Sequence, residues 1–200
     1  MQRPTNVSRE MNKRIGRFLL KHPRSVQRFR QQGPQTHVVV KSDSDHAGCV
    51  YTRRRTSGTI LKHGVHAWKT SATTQILIAM RSGESEFYAV VKGCATGLGI
   101  KSMGQDLGLD LTIELGVDAT AGIGIASRRG VGRVRHLDTQ YLWVQAHVGA
   151  GRIKLTKVGT EDNPADLLTK YLDEKKMMQF MQLLGVWFRH GSAASALKST

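Results

Sequence analysis

VVVKSDSDHAGC, residues Val38 to Cys49, sets two acids directly behind a run of valines in a chain whose formal net charge is +15. Consecutive β-branched residues favour an extended backbone, so His37 to Lys41 reads as a short strand with Asp43 at its carboxyl end. Downstream, TSGTILKH and GVHAWKTSA form a hairpin pattern that turns near His63 and Gly64, which gives three strands in succession. SGESEFYAVVKGCATGLGI then places Phe87, Val90, Val91, Cys94 and Leu98 at helical spacing, with Ser82 as the N-cap and Glu84 and Glu86 in the first turns. LTIELGV, Leu111 to Val117, is a fourth strand, followed by a short helix over Ala119 to Ser127. HLDTQYLWVQAHV predicts a longer helix with Leu137, Tyr141, Val144 and Val148 on one face, and GRIKLTKV a fifth strand. Helices from about Asn163 to Tyr171 and from Asp173 to Trp187 precede a small-residue tail, GSAASALKST. The order βββαβααβα with a final helix implies an α/β (α+β mixed) fold, a five-stranded mixed sheet flanked by helices.

The whole-chain composition narrows the partner class. Two hundred residues with 40% hydrophobic content suit one domain of roughly 150 residues plus extensions. Thirty Lys and Arg against 15 Asp and Glu favour a polyanion, because the protein's field and counterion release both promote binding to nucleic acid. No apolar run approaches the roughly 18 residues that a spanning helix needs, and the N-terminus lacks a signal-peptide pattern, so no membrane partner is expected. Only Cys49 and Cys94 are present, too few for a disulfide framework, and an intracellular protein with reduced thiols is expected, cytoplasmic or nuclear. Residues 1 to 32 hold nine Lys or Arg and a single acid, Glu10. Within this basic arm, Met11, Ile15, Phe18 and Leu19 lie on one side of a helical pattern and Arg9, Lys13, Arg14, Arg17 and Lys21 around the other. The arm reads either as an amphipathic helix packed on a neighbour or as a direct nucleic-acid contact, and QQGPQ, Gln31 to Gln35, as a linker.

The acids of the remaining chain fall at element ends: Asp43 after the first strand, Glu86 early in the long helix, Asp118 after the fourth strand, and Asp166 after the fifth. Sheets with parallel strands place ligand sites at the carboxyl ends of those strands, so Asp43 and Asp118 meet there if their strands are neighbours. Clustered carboxylates repel and call for a counter-charge, for which a hard divalent cation such as Mg²⁺ is the natural occupant. Each acid taken alone reads more readily as a cap.

Taken in order, KSDSDHAGC, RRRTSGTILKHGVHAWKTS, GESEFYAV, ELGVDATAGIGIA, RVRHLDTQYLWVQ and KVGTEDNPADLLTKYL resemble the ribonuclease H domain of copia-type (LTR) retrotransposon Pol polyproteins. The resemblance runs from about Val38 to Gly185, and the arm is similar to the segment that joins reverse transcriptase to the nuclease in such polyproteins. It implies a ribonuclease H-like domain over residues 36–188, a connector over 1–35 and a flexible tail over 189–200. It also implies an endonuclease that hydrolyses the RNA strand of an RNA:DNA hybrid, with two Mg²⁺ ions, replaceable by Mn²⁺, held by Asp43, Glu86, Asp118 and Asp166. The expected partners are the hybrid and a reverse transcriptase domain of the same element, and a virus-like particle is one expected location. Asp166 is preferred to Asp138 as the fourth ligand because it follows a strand, whereas His136 and Asp138 read as caps of the next helix. Phosphate contacts are expected from Arg53, Arg54 and Arg55 before TSG, and from Arg128, Arg129, Arg133 and Arg135 around the glycine-rich loop.

Departures from the family pattern are local. His46 stands where relatives usually carry Trp, Ala119 follows Asp118 where Asn is common, and Thr160 or Glu161 occupies the region in which cellular ribonucleases H carry a mobile His. None removes a carboxylate. An alternative reading is a catalytically weak or inactive nucleic-acid-binding remnant of a transposon; a structural or interaction domain is a third.

Overall fold

A computed structural model describes residues 5–45, 53–130, 132 and 141–191. The chain forms two compact units, one of residues 30–184 and one that joins the N-terminal segment through Phe29 to the segment from Gly185.

In the smaller unit, helix α1 (Asn6–Lys21) is capped by Thr5, whose side chain accepts from the Ser8 amide, and strand β1 (Arg24–Gln27) follows. Helix α1 has no buried residue, and Met11, Ile15 and Leu19 are all exposed. Its Phe18 ring meets Phe188 edge-on at 5.7 Å between centroids.

The larger unit is built on strands β2 (His37–Ser44), β3 (Thr56–His63) and β4 (His66–Thr74), then helix α2 (Ser82–Asp106), strand β5 (Thr112–Val117) and helix α3 (Thr120–Ala126). Helix α4 (Trp143–Gly149) and strand β6 (Lys154–Lys157) precede two short 3₁₀ helices (Thr160–Asp162 and Pro164–Leu168) and helix α5 (Glu174–Leu183). The sheet order is β4-β3-β2-β5-β6, with β2, β3 and β4 antiparallel to one another in turn and β2, β5 and β6 parallel. This is the five-stranded mixed sheet flanked by helices expected from the sequence. The tight β3–β4 hairpin permits antiparallel pairing, whereas the parallel β2–β5 pair requires a crossover, which α2 supplies.

One face of β2 and β5 packs on α2. Val38, Val40, Leu115, Phe87 and Val90 have no exposed surface, and replacing a fully buried Phe by Ala typically costs about 3–5 kcal/mol. The approach of α2 to the sheet depends on small residues: a Cβ at Gly97 would lie 2.6 Å from Ile113 Cγ2. Cys94 is buried on the same helix, and burial pushes its thiol up to about 12, so it is a packing residue rather than a nucleophile.

The elements depart from the sequence-based expectations at several places. The last helix ends at Leu183 rather than Trp187; Gly185 takes φ +70°, and Val186–Arg189 forms strand β7, paired antiparallel with β1. Tertiary pairing of these two short strands outweighs the local helical pattern. The helix expected over Asn163 to Tyr171 contracts to a 3₁₀ segment, capped by the Asn163 side chain, which accepts from the Ala165 amide at 3.3 Å. Arg81, not Ser82, is the N-cap of α2, and α4 begins at Trp143, residues 136–140 lying outside those described. The Gln31 to Gln35 linker has no regular structure but is pinned: Gln32 Nε2 donates to His63 O at 3.1 Å, and His63 Nε2 to Gln35 O at 2.9 Å.

Candidate active site

Strand register brings the first two acids together. Ser42 of β2 faces Val117 of β5 in the parallel ladder, so Asp43 and Asp118 emerge side by side at the carboxyl ends of neighbouring strands. Glu86, one turn into α2, completes a group in which one ligand atom from each of Asp43, Glu86 and Asp118 lies within 4.8 Å of the others. Asp43 and Glu86 are buried, and the Asp118 side chain is 12% exposed. Asp166 is buried in the 3₁₀ segment after β6 and joins the group through Lys170, whose Nζ lies 2.9 Å from Asp166 Oδ1, 3.4 Å from Asp43 Oδ1 and 3.9 Å from Asp118 Oδ2.

The electrostatics follow from this crowding. Burial, then the charges of Asp43 and Asp118, push the Glu86 carboxyl up to about 8, with Lys170 and Arg55 opposing. Burial also raises Asp43, against the hydrogen bond from Thr169 and the charge of Lys170; Asp166 is raised mainly by burial as well. Burial alone would lower Lys170, but its hydrogen bond to Asp166 and the surrounding carboxylates raise it. Glu86 Oε2 is buried with no hydrogen-bond partner. A buried, unsatisfied carboxylate oxygen beside two further carboxylates is a donor set suited to a hard divalent cation, so these residues fit such an ion.

Neighbouring side chains hold the geometry. Thr169 donates to Asp43 Oδ2. Asn163 Nδ2 donates to the Ser42 carbonyl at 3.1 Å, fixing the 3₁₀ segment to β2. Gln75 is buried behind the acids and donates through Nε2 to Ser57 Oγ and the Ser85 carbonyl, both at 3.0 Å, and more weakly to Ser44 Oγ at 3.4 Å. It thereby links β2, β3 and α2. Gly58 of β3 lies opposite Asp43 and passes under the 3₁₀ segment; a Cβ there would fall 2.9 Å from Ala165 O and from Thr169 Cγ2.

All four sequence-derived acids are thus brought together, three directly and Asp166 through a lysine. Asp45 is used differently: its Oδ1 accepts from the Thr56 amide at 3.0 Å, holding the start of β3, so only one acid of the opening pair enters the cluster. Lys170, Thr169, Gln75, Asn163 and Gly58 are neighbours of the acids that sequence reasoning misses. The spacing of four between Asp166 and Lys170 is the one local signal among them; the others depend on long-range contacts.

Among the arginines, Arg55 is half-buried and donates from Nη1 to Ser85 Oγ at 2.8 Å, one residue from Glu86. Arg53 and Arg54 are exposed, and Arg53 takes φ +58°. Arg128 is half-buried and lines a cleft with Arg81, Ser82 and Gly83 at the start of α2, whereas Arg129 is exposed. Arg133, Arg135, His136 and Asp138 lie outside the described residues.

No protein-family model matches the chain. Among curated proteins, it is 28% identical over 189 residues to the retrovirus-related Pol polyprotein from transposon RE1 of Arabidopsis thaliana, covering 93% of this chain and 13% of that protein. It is 26% identical over 147 residues to the corresponding polyprotein from transposon TNT 1-94 of Nicotiana tabacum, covering 72% and 11%. The chain therefore spans about a tenth of the length of the polyproteins it matches. Among solved structures, it is similar to the N-terminal RNase H domain of a Mycobacterium tuberculosis protein, with a TM-score of 0.48, 18% identity, and coverage of 74% of this chain and 97% of that one. It is also similar to LC11-RNase H1 in complex with an RNA/DNA hybrid, with a TM-score of 0.46, 15% identity, and coverage of 66% and 93%. Homologues of this chain include retrovirus-related Pol polyproteins of plant transposons.

Proposed function

We propose that this chain is a ribonuclease H, a divalent-metal-dependent endonuclease that hydrolyses the RNA strand of RNA:DNA hybrids as part of a retrotransposon polyprotein. The observation that carries this reading is the convergence of Asp43, Glu86 and Asp118 within 4.8 Å at the carboxyl ends of parallel strands, with Glu86 Oε2 unsatisfied. Asp43, Glu86, Asp118 and Asp166 would hold two Mg²⁺ ions, with Mn²⁺ as a substitute. When bound, such ions lower the pKa of water and stabilise both the attacking and leaving oxygens of an in-line phosphoryl displacement.

The residues of this chain prepare the site for that chemistry. Burial and the neighbouring charges of Asp43 and Asp118 push the Glu86 carboxyl up to about 8, so Glu86 would release a proton on serving as a ligand to a divalent ion. Thr169 ties Asp43 to the 3₁₀ segment, and Gln75 ties the start of α2 to β3. Arg53, Arg54, Arg128 and Arg129 would engage hybrid phosphates, a reading that the exposure of Arg53, Arg54 and Arg129 supports, and Arg55 adds positive charge beside Glu86. The reverse transcriptase region of the same polyprotein is the proposed partner. Among the described residues, no helix is long and apolar enough to cross a membrane.

The test is a gel assay of end-labelled RNA annealed to DNA, with and without Mg²⁺. Internal cleavage of the RNA strand that requires the metal is expected, with duplex DNA left intact. Intact RNA at saturating Mg²⁺ and at saturating Mn²⁺ refutes the assignment.

A further inference from the structure

Lys170 follows Asp166 by four residues, and its ammonium group turns into the acidic cluster. Carboxylates from three separate elements share it: Asp43 of β2, Asp118 beyond β5 and Asp166 of the 3₁₀ segment, at 3.4, 3.9 and 2.9 Å. The Asp43 and Asp166 side chains are 2% and 4% exposed, whereas that of Lys170 keeps 27%. The acids therefore have almost no water with which to replace the lysine, while the lysine retains a route to solvent along its flexible stem. Its backbone is held in place, since the Lys170 amide donates to the Asp166 carbonyl at 2.9 Å and the preceding Thr169 donates to Asp43.

An ammonium group and a divalent ion compete for the same carboxylate oxygens, but the ammonium brings a single charge and no coordination shell. We propose that Lys170 is the resident counter-cation of this cluster and competes with a divalent ion for the oxygens of Asp43 and Asp166, so that metal loading is sequential. The first ion is taken by the Asp43–Glu86–Asp118 group with Lys170 in place. Loading against Asp166 requires the ammonium to withdraw. This inference rests on reading the cluster as a divalent-metal site, and it makes Lys170 a positioning residue whose charge weakens the second binding step while holding the unloaded acids together.

The test titrates the 200-residue chain with Mn²⁺ alone, following the free ion by its electron paramagnetic resonance signal, and measures melting temperature with and without Mn²⁺. Wild type is expected to bind in two classes, the second weaker. Lys170→Met should tighten the second class by about tenfold or more, equivalent to about 1.4 kcal/mol, and leave the first within about threefold. Its melting temperature should fall without metal and recover at saturating Mn²⁺. Lys170→Arg, which keeps the charge, should retain the wild-type pattern. Lys170→Gln carries the same expectation as Lys170→Met; if both remain unfolded at saturating Mn²⁺, the lysine is a structural requirement that no divalent ion replaces, and the proposal fails. An unchanged or weakened second class in a folded Lys170→Met overturns the role of Lys170 and leaves the metal-site reading standing. Absence of saturable Mn²⁺ binding by wild type overturns both.

Discussion

Gly58→Ala is a one-carbon change on β3 that tests how the candidate site is assembled. The added Cβ would meet Ala165 O at 2.9 Å, Thr169 Cγ2 at 2.9 Å and Leu168 Cβ at 3.0 Å, whereas ordinary contact begins near 3.4 Å. The 3₁₀ segment must therefore move by about half an ångström, and because one obstacle is a backbone carbonyl, no side-chain rotation relieves it. Overpacking of this kind costs about 1–3 kcal/mol. The same segment carries Asp166 and leads directly into Thr169 and Lys170, so the displacement loosens the hydrogen bonds from both residues to the acids together. Misplacement by about an ångström can cost about a hundredfold in rate, and a shift of half that size should lower hybrid cleavage by about ten- to thirtyfold. Urea unfolding gives the stability change and single-turnover cleavage the rate change. Gly99→Ala is the control: nothing lies within 4 Å of its Cβ, and on the exposed face of α2 it should stabilise by up to about 1 kcal/mol. A Gly58→Ala protein with wild-type stability and wild-type cleavage would refute the idea that close approach of β3 to this segment sets the geometry.

Asp43→Asn should abolish hybrid cleavage while hybrid binding, read by filter retention, stays equal or improves, because a proposed ligand is removed and negative charge is reduced. Asp166→Asn should slow cleavage by at least about tenfold, about 1.4 kcal/mol, with little change in melting temperature, since burial already disfavours its charged form. Glu86, held up to about 8 from an ordinary 4.5, contributes stability that is complete below pH 4.5 and is lost as pH rises through about 8. The metal-free melting temperature should accordingly fall across that window, more steeply in wild type than in Glu86→Gln, and an equal slope in the two would contradict it. Replacing Arg128 and Arg129 together by Ala should flatten the salt dependence of hybrid binding by about 0.9 in log–log slope for each phosphate no longer neutralised, and an unchanged slope would remove both arginines from the interface.

The five-stranded sheet and the three clustered acids were legible because each rests on a local signal: the valine run before Asp43, the TIELGV run before Asp118, and helical spacing around Glu86. What was not legible depends on partners far along the chain. RSVQ and VWFR are four-residue strands with no pattern strong enough to stand alone, and each is a strand only because the other is there. Gln75 looks like an ordinary loop residue until β2, β3 and α2 surround it. Asp45 looks like the equal of Asp43 by alternation, yet the strand ends at Ser44 and the Thr56 amide claims its side chain.

The bond from Thr169 to Asp43 spans 126 positions of sequence, and that from Lys170 spans 127. Contacts that distant form only after the intervening chain has been ordered, since closing a long loop costs entropy before the contact returns any stabilisation. During synthesis, Asp43 and the β2–β3–β4 meander leave the ribosome well before Lys170 does, and in that interval the acids of β2 and α2 have neither the threonine donor nor the ammonium group. A growing chain thus carries an incomplete carboxylate group on its sheet until almost the whole of the larger unit has been made. Assembly of the site is in this way a late folding event, and a chain halted before residue 169 lacks both the donor to Asp43 and the ammonium group that the acids share.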